Sequence, residues 1–189
     1  MAKGNALGII ELGSIYKGYE VEDAVLKTAD VEKLIGRTIC SGKFLIIVRG
    51  NVGDVETAIA VANRTGGFAI VNTVVIPHVD PRVFPAIGGF TVIDRPVGPG
   101  TEAILVMETF SVASAIKAAD AAVKEAELDL LRIHAAMAVG GKGFVVMSGD
   151  IGALESAARP AAESCRQDGM LAGYTIIRNP HADVLRELI

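Results

Sequence analysis

The chain has 189 residues, and 18 Lys and Arg against 22 Asp and Glu give a formal charge of -4, which excludes a basic nucleic-acid binder. Hydrophobic residues make up 51% of it, yet no stretch approaches the roughly 18 uninterrupted apolar residues of a membrane-spanning helix. A chain this small cannot bury such an apolar excess internally, so part of its surface is expected to meet other subunits.

In chain order, Met1-Ala2-Lys3-Gly4-Asn5 shows no secretory pattern, and two distant cysteines, Cys40 and Cys165, fit a reducing compartment better than a disulfide scaffold. A cytosolic chain is expected. Ala6–Leu12 is a near-continuous apolar run of strand length. Val21, Ala24, Val25 and Ala29 then fall at helical spacing. Residues 31–39 and 44–48 read as strands around the turn Cys40-Ser41-Gly42, which predicts a hairpin. Asn51 has the character of an N-cap for a helix with apolar positions Val52, Val55, Ile59 and Ala62. A strand over 69–76 and a short helix close the segment, and Gly and Pro mark a linker over 93–101.

The same order then recurs. Sliding the sequence over itself by 97 residues brings Ala6-Leu7-Gly8-Ile9-Ile10-Glu11 onto Ala103-Ile104-Leu105-Val106-Met107-Glu108, with Ser14 on Ser111, Asp23 on Asp120 and Lys27 on Lys124. After a two-residue insertion, Gly42-Lys43 falls on Gly141-Lys142 and Gly50 on Gly149. Strands over 128–137 and 144–147 flank Val139-Gly140-Gly141, Asp150 stands where Asn51 does, and residues 171–177 form the last strand. Pro160 falls inside the second long helix and is expected to kink or shorten it. The chain therefore reads as α+β, two tandem βαββαβ-type domains over 1–92 and 102–189, each an antiparallel sheet with helices on one face.

Several chemistries are missing. Gly42-Lys43 and Gly141-Lys142 lack the first glycine and the hydroxyl residue of a phosphate loop. His78, His134 and His181 have no metal-binding companions and are expected on the surface or in loops. Glu11 and Glu108 end equivalent strands; the favoured reading is a structural carboxylate bonded to backbone amides rather than an acid/base pair. Lys27 and Lys124 sit on the polar side of the first helix of each copy, as part of a solvated face or as an edge contact. Cys40 activated by His134 as a nucleophile lacks a third orienting group, and no enzyme is expected.

The segments A-L-G-I-I-E-L, D-A-x-x-K-x-A, I-C-S-G-K and V-R-G-N-V-G-D-V resemble the bacterial microcompartment shell domain, and the resemblance covers both halves. Two copies in one chain are similar to the tandem-domain shell proteins, above all those of propanediol-utilisation compartments. The resemblance implies a structural tile of the microcompartment shell in the cytoplasm: a homotrimer shaped as a pseudohexamer, packed against other shell proteins, without nucleic acid or membrane. It implies a pore at the three-fold axis lined by Ile39, Cys40, Ser41, Gly42, Val139, Gly140 and Gly141, and tile-edge contacts from Lys27 and Lys124. In the similar propanediol-utilisation proteins the cysteine matching Cys40 binds an iron-sulfur cluster on that axis. One thiolate per chain would give three of the four ligands a [4Fe-4S] cluster takes, for electron transfer across the shell or for delivery of a cluster to an encapsulated redox enzyme. The alternative is a cluster-free tile whose pore passes small metabolites. The edge motif I-P-R-P-H is altered, since Ile76-Pro77-His78 lacks the Arg and Ile177-Arg178-Asn179-Pro180-His181 has shifted it.

Overall fold

The computed structural model describes residues 4–87, 97–98, 100–135 and 139–188. It divides into two compact units, Met1–Val79 with Ala136–Gly141 and Asp80–Ala135 with Lys142–Ile189.

In the first unit the order is β1 (Ala6–Leu12), α1 (Ile15–Thr28), β2 (Glu32–Ile39), β3 (Lys43–Gly50), α2 (Val52–Gly66) and β4 (Ile70–Ile76). The sheet runs β2-β3-β1-β4 with every pair antiparallel. Because side chains alternate along a strand, Ile10 and Leu12 of β1 and Phe44, Ile46 and Val48 of β3 share one face. That face packs on Val21 and Val25 of α1 and on Ala58, Val61 and Ala62 of α2. Leu7, Ile9, Leu45 and Ile47 on the other face are also fully buried, which is why these strands read as continuous apolar runs rather than as an alternation. Helix α1 lies so close to β3 that a Cβ on Gly18 would stand 2.3 Å from Cγ of Phe44.

The second unit repeats the plan with β5 (Ala103–Thr109), α4 (Val112–Glu125), β6 (Asp129–Ala135), β7 (Gly143–Gly149), α5 (Ile151–Arg166), β8 (Leu171–Arg178) and α6 (Ala182–Leu188). Its sheet runs β6-β7-β5-β8, again antiparallel. The short helix α3 (Val83–Ile87) belongs to this unit, packing on α4 and β6. Contact therefore divides the chain after Val79, although the repeat spacing runs the first domain to residue 92; residues 88–92 and most of the 93–101 linker lie outside the described residues.

One local expectation needs correction in part. Pro160 does not shorten α5, which runs 16 residues to Arg166. Buried Ala161, Ala162 and Cys165 follow the proline, and their packing offsets the backbone bond it removes. Asn51 and Asp150 do occupy the N-cap positions, but neither side chain caps its helix. At α5 the free amide of Ile151 instead donates to the Glu102 carboxylate at 3.1 Å, a cap supplied from a neighbouring strand's lead-in.

The segment leading into α3 is fastened by ionic contacts. The Asp80 amide donates to Oδ1 of Asp120, and the Arg82 guanidinium holds both Asp80 oxygens while donating to the Val123 and Leu128 carbonyls. Arg82 also donates its amide to Asp80 Oδ1 across Pro81, a turn that Asp-Pro sequences favour. Hydrogen bonds from Arg82 hold the Asp80 carboxyl below its ordinary value of 3.8. A carboxyl depressed in the folded state stabilises it above the ordinary value, and that contribution is lost as pH falls through the folded one. Unfolding midpoints measured from neutral pH down through 3.8 should therefore fall, and in Arg82→Met they should start lower and fall less steeply.

Candidate functional site

Strand β2 ends at Ile39, which is 6% exposed and so anchors the turn from below. Cys40, Ser41 and Gly42 form a single 3-10 turn before β3 starts at Lys43, and Ile39 pairs with Lys43 across its base. Ser41 has φ 63° and Gly42 φ 69°, two consecutive left-handed residues. The matching Gly140 and Gly141 have φ 64° and 81°, so both repeats fold this turn alike, although residues 136–138 before it lie outside the described residues. Only Gly and short polar residues visit this region readily, so Ser41 sits where it is tolerated. Cys40 is not among the positive-φ residues, so a side chain stands there without backbone strain. Its side chain is half-buried at the edge of an otherwise exposed tip, while Cys165 is fully buried and burial pushes its thiol up. The matching Val139 carries no sulfur.

Beneath the turn, Lys43 Nζ donates to Glu11 Oε1 at 2.7 Å and to the Gly141 carbonyl at 3.1 Å, all within the first unit. Glu11 is fully buried and lies at a register shift between β1 and β4. Glu108 lies at the same shift between β5 and β8 and takes Lys142 at 2.9 Å, so each strand-end glutamate bonds its own repeat's turn lysine. A lysine ammonium is thus a partner of each carboxylate, one that the expectation of backbone amides did not name. The signal was present: each repeat keeps a Glu at the strand end and a Gly-Lys after the turn.

The remaining candidates fall elsewhere. Lys27 pairs with exposed Asp23 one turn earlier in α1, and Lys124 pairs likewise with buried Asp120 in α4. His78 and His181 are exposed, whereas His134 sits within β6 rather than in a loop, stacked on Phe144 with its Nδ1 beside Arg132. Among the described residues no three His, Cys, Asp or Glu side chains group to hold a metal, and the Cys40 turn carries a single thiol.

Residues 6–79 and 103–180 both match the BMC domain family. The chain belongs to that family. It is 40% identical over 184 residues to the bacterial microcompartment shell protein PduT of Citrobacter freundii, covering 97% of each chain. A carboxysome shell protein, CsoS1A of Hydrogenovibrio crunogenus, matches 84 residues at 37% identity, 43% of this chain and 84% of that one. A crystal structure of a microcompartments protein from Desulfitobacterium hafniense superposes with a TM-score of 0.82 at 32% identity, covering 96% of this chain and 98% of that one. The protein is thus a tandem BMC-domain shell protein, structural rather than catalytic, and its place is the microcompartment shell. No helix among the described residues is long and apolar enough to cross a membrane.

Proposed function

We propose that three copies close into a pseudohexameric tile, and that Cys40 of each supplies one thiolate to an iron-sulfur cluster on the three-fold axis. The observation that carries this reading is the setting of Cys40: a half-buried thiol at the edge of an exposed turn whose backbone is fixed by two left-handed residues and by the β2–β3 pairing. Soft thiolates are the ligands iron-sulfur clusters take, and a site built from three symmetry-related turns needs one sulfur from each. Ser41 and Gly42 leave room at the tip, since a Cβ on Gly42 would meet nothing within 4 Å. When bound, the cluster supplies one-electron transfer through the tile. The protein's part is to hold the turns rigid, with Lys43 tied to a buried carboxylate below. The Val139 turn, alternating with that of Cys40 around the axis, limits the site to three thiols. Lys27 and Lys124 are the proposed contacts to neighbouring shell tiles, and an encapsulated redox enzyme is the proposed electron partner.

The test is iron and sulfide analysis with electron paramagnetic resonance on protein purified and reconstituted without oxygen, beside Cys40→Ala. The expected result is close to one cluster per three chains, absent from the variant. Trimers without iron in either sample would replace the cluster by an open passage for small metabolites.

A further inference from the structure

The two repeats share a backbone plan but not the same burial, and the differences fall on one surface. Glu11 is fully buried, whereas the side chain of its counterpart Glu108 is 47% exposed; Lys43 is 18% exposed and Lys142 42%. Ile9 and Leu45 are fully buried, whereas Val106 and Phe144, which match them, are only partly so. Around Lys43 the added contact is a turn: its ammonium donates to the carbonyl of Gly141, the last residue of the Val139-Gly140-Gly141 tip. The residue equivalent to Gly141 is Gly42, and the lysine equivalent to Lys43 is Lys142.

We infer that Lys142 donates to the carbonyl of Gly42 of the partner subunit, so that the Cys40-Ser41-Gly42 turn of each chain is latched onto the Glu108–Lys142 pair of the next. The inference rests on the three-chain reading above and assigns the residues that close it. An ammonium has three donor hydrogens, and Lys142 spends one on Glu108 at 2.9 Å while lying 5.7 Å from the Phe110 ring centre. The partner turn would bring to Lys142, beside the half-exposed Glu108, the acceptor that Gly141 brings to Lys43. A head-to-tail contact of this kind repeats around a ring until it closes, since each chain has one turn to give and one pair to receive it. The latch also fixes where Cys40 sits, two residues from the bonded carbonyl.

The test is native mass spectrometry over a dilution series for the wild type, Lys142→Met, Lys142→Arg and Lys27→Met, repeated in a Cys40→Ala background so that no cluster ties the chains. Losing a charge-assisted bond at each interface should raise the concentration at which Lys142→Met trimers dissociate by about tenfold or more. Lys142→Arg should recover part of that loss, and Lys27→Met should leave it unchanged. Because Glu108 is half-exposed, Lys142→Met should keep its circular dichroism and monomer melting. A wild type that never forms trimers overturns the three-chain reading and the latch with it. A trimeric wild type with an unshifted Lys142→Met overturns the latch alone. A crystal structure of the trimer decides it directly: Lys142 Nζ should lie within about 3.2 Å of the Gly42 carbonyl oxygen of the partner subunit, and a gap too wide for a hydrogen bond overturns it.

Discussion

Lys43→Met is expected to cost about 3–5 kcal/mol of folding stability, the range found when one partner of a buried ion pair is removed. Glu11 is fully buried at the end of β1, and Lys43 is the ammonium that faces it at 2.7 Å. Without the lysine the buried carboxylate loses its cationic partner. Urea unfolding at neutral pH should show the loss. The double variant Glu11→Met with Lys43→Met should recover most of it, because an apolar pair of similar size removes both charges together. Lys142→Met in the second repeat should cost only about 0–1 kcal/mol in the monomer, since both members of that pair are more than 40% exposed. Equal losses in the two repeats would show that Glu11 is held by something other than Lys43.

Gly18→Ala should be the next most damaging change. Alanine is the better helix former by about 1 kcal/mol, so at an open site the substitution stabilises. At Gly18 the new methyl would stand 2.3 Å from Cγ and 2.5 Å from Cβ of the fully buried Phe44, and no rotamer of Phe44 moves its own Cβ. Helix α1 has to lift off the sheet, and overpacking of this kind typically costs about 1–3 kcal/mol. Gly53→Ala provides the control of opposite sign, because a Cβ there meets nothing within 4 Å. Thermal melting of the two variants should move in opposite directions. The second repeat solves the same contact the other way round: Ala115 stands for Gly18 and Gly143 for Phe44, and a Cβ on Gly143 would lie 2.8 Å from that of Ala115.

Much of this architecture could be read from residue order. Strand β1 announces itself because both its faces are buried, β5 because it repeats that apolar run, and α1 and α4 because their apolar positions recur at the helical period. The hairpin around Cys40 follows from two β-rich runs on either side of a short polar turn. The duplication did most to expose the site, since any feature kept at two equivalent positions, such as the strand-end glutamate and the turn lysine, marks a shared requirement. The reading failed where the deciding partner is distant in sequence. Glu11 and Lys43 lie 32 residues apart, so no local pattern links them. Arg82 was missed because the expected arginine was sought beside Pro77, whereas the chain places it after Pro81 and ties it to Asp80 and to carbonyls of α4 and the following loop. Pro160 was read as a breaker from its backbone alone, before the packing of the residues beyond it could be weighed.

The handover of α3 to the second unit limits how this polypeptide can be recombined. Shell tiles with altered properties invite grafting, in which one half is replaced by the corresponding half of a relative. A graft at the glycine-rich linker would leave α3, with Asp80 and Arg82, facing a foreign α4 and β6. The contacts divide the chain instead between Val79 and Asp80, and again on either side of residues 136–141, which belong with the first unit. A chimaera that crosses over after Val79 and leaves residues 136–141 with the first unit keeps every helix and strand with the surface it packs on, so the exchange unit is Asp80–Ala135 together with Lys142–Ile189.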